Sequence, residues 1–76
     1  MKIEVLGAGC PKCVALMDNV VAAVAELGID AELAKVTDIV EIANRGVMMT
    51  PALSVDGEVK MVGKLATVAE LKVLLG

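Results

Sequence analysis

The chain contains no Phe, Tyr, Trp or His. Without aromatic rings it has no platform on which bases or sugars could stack, and its core must be built from Val, Leu, Ile, Ala and Met. Without imidazole, proton transfer near neutral pH has to come from other groups. Basic residues are scarce as well: 7 Lys and Arg face 10 Asp and Glu, a net charge of -3. That balance argues against a phosphate-backbone partner, which requires clustered cations, so no nucleic-acid binding is expected. Long apolar runs are also missing. Val20 to Ala25, closed by Glu26, falls far short of the roughly 20 residues of a membrane span. Glu4 lies where a signal peptide would need the start of its apolar stretch. A cytoplasmic chain without a membrane partner is the expectation. Its 76 residues are enough for one compact core and too few for two, so residues 1–76 are expected to form one domain, acting as a monomer.

The hydrophobic pattern gives an α/β order. Ile3 and Val5 alternate with Lys2 and Glu4 over residues 2–6, the period of a short strand, which Gly7 and Gly9 interrupt. From Pro11 on, Val14, Met17, Val20, Val21, Val24 and Leu27 recur at helical spacing, with Gly28 as a C-terminal stop. Ile29, Ala31 and Leu33 alternate with Asp30 and Glu32 in a second strand running to Val36. Asp38 followed by Glu41 resembles a capping box, and Ile39, Ile42 and Ala43 predict a short helix ending before Gly46. Ala52–Val55, Asp56-Gly57 and Glu58–Val62 read as a hairpin. Thr67-Val68-Ala69-Glu70 opens a last helix whose apolar side carries Val68, Leu71, Leu74 and Leu75. The order β-α-β-α-β-β-α predicts a mixed four-stranded sheet flanked by three helices.

There are only two cysteines, and they stand three apart in Cys10-Pro11-Lys12-Cys13. In a reducing cytosol a close pair points to redox chemistry or metal binding, not to a structural bridge. At a helix start, positions i and i+3 share one face about 5–6 Å apart, a separation that suits a disulfide. With Cys10 as N-cap, its thiolate can accept from the free amides of the first turn at the positive end of the helix dipole, which favours the ionised form. Pro11 fits the first helical position because it has no N–H to lose, and Lys12 adds a nearby positive charge. Cys10 is therefore read as the nucleophile and Cys13, one turn inside, as the resolving thiol. A ring this small limits loop-closure stabilisation, which fits a reversible disulfide better than a staple.

Three segments together resemble the thioredoxin-like superfamily, and within it the minimal redox-active disulfide proteins of bacteria and archaea. They are Gly7-Ala8-Gly9-Cys10-Pro11-Lys12-Cys13 after the first strand, Thr50-Pro51 before the third, and Ala52-Leu53-Ser54-Val55-Asp56-Gly57 followed by Gly63. The resemblance implies a protein thiol-disulfide oxidoreductase that needs no bound cofactor, takes protein disulfides as substrates and receives electrons from a flavin-dependent disulfide reductase. It also implies a cis-Pro51 against the disulfide and a Thr50 backbone available to an extended substrate. Glu4, six residues before Cys10, has the spacing of a buried acid that helps deprotonate the resolving cysteine. A carboxyl with a pKa raised by burial would act there as general base.

Other readings stand beside these. Two thiolates at this spacing also suit Cu(I), as in a soft-metal chaperone, but Met is absent two residues before Cys10 and the chain ends on a helical signal. Glutaredoxins share the proline at position 11, but their following Tyr is Lys12 here, so a glutathione-using enzyme ranks third. Glu4 taken alone reads as a solvent-facing residue of an alternating strand. Met48 and Met49 are core fillers by default, and an adaptable docking surface if they lie beside Thr50-Pro51, with Met49 the substrate-binding candidate. Lys35, Arg45, Lys60 and Lys64 read as ordinary solvated charges.

Overall fold

The computed structural model describes residues 1–76. Seven elements follow in the expected order: β1 (Lys2–Leu6), α1 (Pro11–Leu27), β2 (Glu32–Val36), α2 (Ile39–Asn44), β3 (Ala52–Val55), β4 (Glu58–Val62) and α3 (Val68–Leu75). The strands form one sheet in the order β2-β1-β3-β4. β1 runs parallel to β2, with Val5 opposite Lys35, and antiparallel to β3, with Glu4 opposite Ser54. A parallel pair needs a crossover, which α1 supplies. The antiparallel β3–β4 pair closes on Asp56 and Gly57, whose φ values of 52° and 84° suit the tight hairpin turn their sequence announces.

The alternation of β1 separates two apolar clusters. Ile3 and Val5 join Leu16, Val20, Ala23, Leu71 and Leu75, so α1 and α3 cover one face. Leu6 joins Ile42, Val47 and Ala52 under α2 on the other. The first cluster corrects the expected face of α1. Cys13, Leu16, Val20 and Ala23 are its buried residues, while Val14 and Val21 are each 49% exposed. Residues 14–25 are apolar nearly all round, so the packing of α3 decides which stripe is covered. In α2 only Ile42 is buried, and Ile39 lies in solvent. In α3, Leu71 and Leu75 face inward and Leu74 is exposed.

β2 begins at Glu32 and not at Ile29. The Gly28 N–H donates to the Val24 and Ala25 carbonyls, and Ile29 still donates to Val24, so these residues close the helix. Strand pairing starts where β1 does, with Glu32 N–H donating to the Met1 carbonyl at 2.9 Å. The caps of the other helices differ from one another. Thr67 and Glu70 form both bonds of a capping box. Asp38 caps α2 through the Val40 N–H, and Glu41 turns instead to Arg45.

Candidate active site

Cys10 stands immediately before α1 in extended conformation, and its Sγ accepts a hydrogen bond from the Cys13 N–H at 3.2 Å. This is an N-cap made with sulfur: one orphan amide of the first turn is directed at the first cysteine. Pro11 occupies the first helical position, where it gives up no hydrogen bond. Cys10 and Cys13 are joined in a disulfide with their Cα atoms 5.1 Å apart. Cys10 is half-buried, Pro11 and Lys12 are exposed, and Cys13 is buried. The two sulfurs thus differ in access and in hydrogen bonding.

Close approach to β1 is what admits Cys13. A Cβ placed on Gly7 would overlap Cys13 Sγ and also meet Thr50 Cβ at 3.7 Å. The Cys13 sulfur and the chain entering β3 therefore converge on one glycine. The Thr50–Pro51 peptide is cis. Pro51 is buried while Thr50 is exposed, and beside them Met48 and Met49 are 91% and 64% exposed. Ala8, Ile39, Ile42, Val47, Met48 and Thr50 line a largely apolar groove between α2 and the loop that leads to Cys10.

Glu4 has the burial that the resemblance implies but not the raised pKa that its general-base role needs. It is buried, not solvent-facing, and two nitrogens of Arg45 grip its two carboxylate oxygens at 3.0 and 3.2 Å. This fork-on-carboxylate contact holds the Glu4 pKa below its ordinary value against the opposing effect of burial, with the positive charges of Arg45 and Lys2 adding to it. A raised pKa, the property on which a general-base role rests, is absent. The reason is Arg45, which also donates to Glu41 at 2.9 Å and is no ordinary solvated charge. Lys60 and Lys64 are likewise paired, with Glu58 and Glu70.

Residues 1–76 match the family model described as a thioredoxin domain. The chain belongs to the thioredoxin domain family. It is similar to the thioredoxin of Methanothermobacter thermautotrophicus, with 44% identity over 75 residues that cover 99% of this chain and 97% of that one. It is similar also to the thioredoxin of Methanocaldococcus jannaschii, with 49% identity over 70 residues covering 92% and 80%. Together with the disulfide at the head of α1, this membership makes the chain a thiol-disulfide oxidoreductase. The redox reading therefore displaces the soft-metal and glutathione readings. Electrons are carried by the reversible Cys10–Cys13 disulfide itself, without a bound cofactor.

Two features of this thioredoxin-family structure, one at the disulfide and one in the central strand, escape a reading by sequence. Gly7 registers as a strand breaker and as part of the turn before Cys10, but not as the position whose missing side chain makes room for Cys13. Arg45 lies 41 residues from Glu4, and no spacing rule joins them. The alternation of residues 2–6 puts Glu4 on a polar face, and only the folded sheet, which buries β1 on both faces, shows that its carboxylate requires a partner.

Proposed function

We propose that Cys10 attacks a protein disulfide as the thiolate and that Cys13 then resolves the mixed disulfide. The observation that carries this order is the hydrogen bond from the Cys13 N–H to Cys10 Sγ at the start of α1. An amide and the positive helix end favour charge on the first sulfur and not on the second. Access agrees with it, since Cys10 is half-buried and Cys13 buried. Attack joins Cys10 Sγ to one substrate sulfur and expels the other as a thiolate, which takes up a proton. Cys13, having lost its own proton, attacks Cys10 Sγ, forms the internal disulfide and releases the first substrate sulfur. The substrate gains two electrons and two protons, and the dithiol is oxidised. Lys12 tunes the first step as a nearby exposed cation, and Pro11 fixes the turn that carries both sulfurs.

Substrate docks, in this reading, along Met49, Thr50 and Pro51. Support comes from the exposed methionines and the apolar groove that runs to Ala8. Thioether side chains adapt to varied partners, which suits a carrier that serves several protein disulfides. A flavin-dependent disulfide reductase regenerates the dithiol, and the protein works as a monomer in the cytoplasm. Glu4, held ionised by Arg45, is assigned no proton-transfer step.

The order of the two thiols is tested by trapping. Incubated with a disulfide-bonded protein, Cys13→Ser should accumulate a stable mixed disulfide visible by intact mass, and Cys10→Ser should give none. Trapping by Cys10→Ser instead would reverse the assignment.

A further inference from the structure

With no His, Tyr or Trp in the chain, the side chains most open to two-electron oxidation, apart from the two cysteines, are the methionines. The five methionines are not placed alike. Met17 and Met61 are half-buried against the α1/α3 core. Met1 is 50% exposed at the end of the sheet remote from the disulfide, where its carbonyl accepts from the Glu32 N–H. Met48 and Met49 are the most exposed of the five, and they stand together just before the cis Thr50–Pro51 peptide.

The two side chains lie against different neighbours. Met48 lines the apolar groove that reaches Ala8, in which Thr50 is the one polar residue. Met49 lies over Gly63: its Cβ, Cε and Sδ come within 3.1, 3.3 and 3.5 Å of where a Cβ on that glycine would be. A sulfoxide at either position puts a strong acceptor where docking buries apolar surface. A polar group buried without a donor opposes association, and methionine oxidation makes that change reversibly. The Cys10–Cys13 disulfide holds no thiolate to intercept a peroxide. In the oxidised carrier the exposed thioethers are therefore the reactive sulfurs.

We propose that Met48 and Met49 form an oxidation site through which hydroperoxides weaken the docking of protein disulfides and leave the chemistry of Cys10 and Cys13 intact. The inference rests on the reading of Met49, Thr50 and Pro51 as the docking surface. In the step itself, a thioether lone pair attacks the terminal oxygen of the hydroperoxide, and the S–O bond forms as the O–O bond breaks. The proton on that oxygen passes to the departing oxygen, which leaves as water or an alcohol. The sulfur is oxidised by two electrons and the peroxide reduced by two. Small disulfides, which need no docking surface, are still reduced.

The test treats the disulfide form with hydrogen peroxide and maps the added oxygen by peptide mass. Met48 and Met49 should gain it ahead of Met17 and Met61. The dithiol is then restored with dithiothreitol, freed of reagent, and its oxidation followed with insulin and with hydroxyethyl disulfide. Treatment should lower the insulin rate about tenfold, as one buried polar group implies, and leave the hydroxyethyl disulfide rate in place. Methionine sulfoxide reductases should restore the insulin rate. The double variant Met48→Leu, Met49→Leu, compared only with itself, should lose no insulin rate to peroxide, although Met1, Met17 and Met61 remain. An equal loss in that variant would overturn the proposal, as would a parent rate that holds after both methionines have gained oxygen. Untreated Met48→Gln, Met49→Gln separates the two readings. Insulin turnover as fast as the parent's would overturn the docking surface and the proposal with it. A slow Gln variant beside a parent indifferent to peroxide would overturn the oxidation site alone.

Discussion

At Gly7 the absence of one methyl group allows Cys13 to sit where it does. Its φ is not in the left-handed region, so the requirement is for space: an added Cβ would overlap the Cys13 sulfur. The sulfur can yield only by moving away from β1, which also moves it relative to Cys10 Sγ, or by pushing α1 outward. Gly7→Ala is therefore expected to destabilise the oxidised protein by about 1–3 kcal/mol, the cost of overpacking a filled site. It should also make the internal disulfide easier to reduce. Gly9→Ala is a useful contrast, because a Cβ there meets nothing within 4 Å and its cost is confined to a φ of 84°. A dithiothreitol redox titration of the two variants checks this. An unaltered potential in Gly7→Ala would show that the disulfide does not depend on this contact. Cysteine chemistry was legible from spacing, cap position and the proline between, since all of these are local. The glycine's part was not, because it depends on a contact six residues on that exists only once α1 has docked.

At the scale of elements, the order β-α-β-α-β-β-α was legible because each element carries its own signal: alternation in β1, Asp56-Gly57 in the hairpin, Thr67 and Glu70 at α3. The covered face of each helix was less so. Val14 and Val21 match a helical period as well as Leu16 and Ala23 do, and only the second pair is buried. A stripe read from an almost wholly apolar helix is undetermined until its neighbour is known. The start of β2 was missed for a similar reason: Ile29 and Ala31 alternate correctly, but strand pairing waits for Lys2 opposite Glu32. α3 has only 8 residues, too few to be helical alone, so its packing on α1 and its capping box must hold it. The Thr67 hydroxyl accepts from the Glu70 N–H at 3.1 Å, and the Glu70 carboxylate accepts in turn from the Thr67 N–H. Thr67→Ala should cost about 1 kcal/mol. In a chain this short that lowers Tm by roughly 4–8 °C, with the exchange rate at Cys10 unchanged. A calorimetric scan beside a disulfide-exchange assay would detect any coupling of the cap to the chemistry, which would appear as a slower exchange.

Taken as a whole molecule, the sheet separates an α1/α3 core from a smaller α2 core, and Glu4 is the charged residue buried in its central strand. Arg45, at the end of α2, reaches it with two nitrogens and ties the smaller layer to the sheet. The carboxyl pKa is lower in the folded chain than the ordinary 4.5, so at a given acidic pH the unfolded chain binds more protons than the folded one. Stability then rises with pH across this region. The contribution is complete above about 4.5 and is lost as pH falls through the lowered folded value. Glu70, lowered to about 2 by Lys64 and the Thr67 cap, acts in the same direction, but it is present in parent and variant alike. The difference between the two therefore isolates Glu4. Urea titrations from pH 7 to pH 3 should show Glu4→Gln less stable than the parent at pH 7, with the gap closing as the pH drops below 4.5. Release of a trapped substrate should proceed at the parent rate in the same variant. A gap that stays constant with pH would deny the ion pair its linkage to folding. Slower release would return Glu4 to the proton-transfer step from which its pairing with Arg45 removes it.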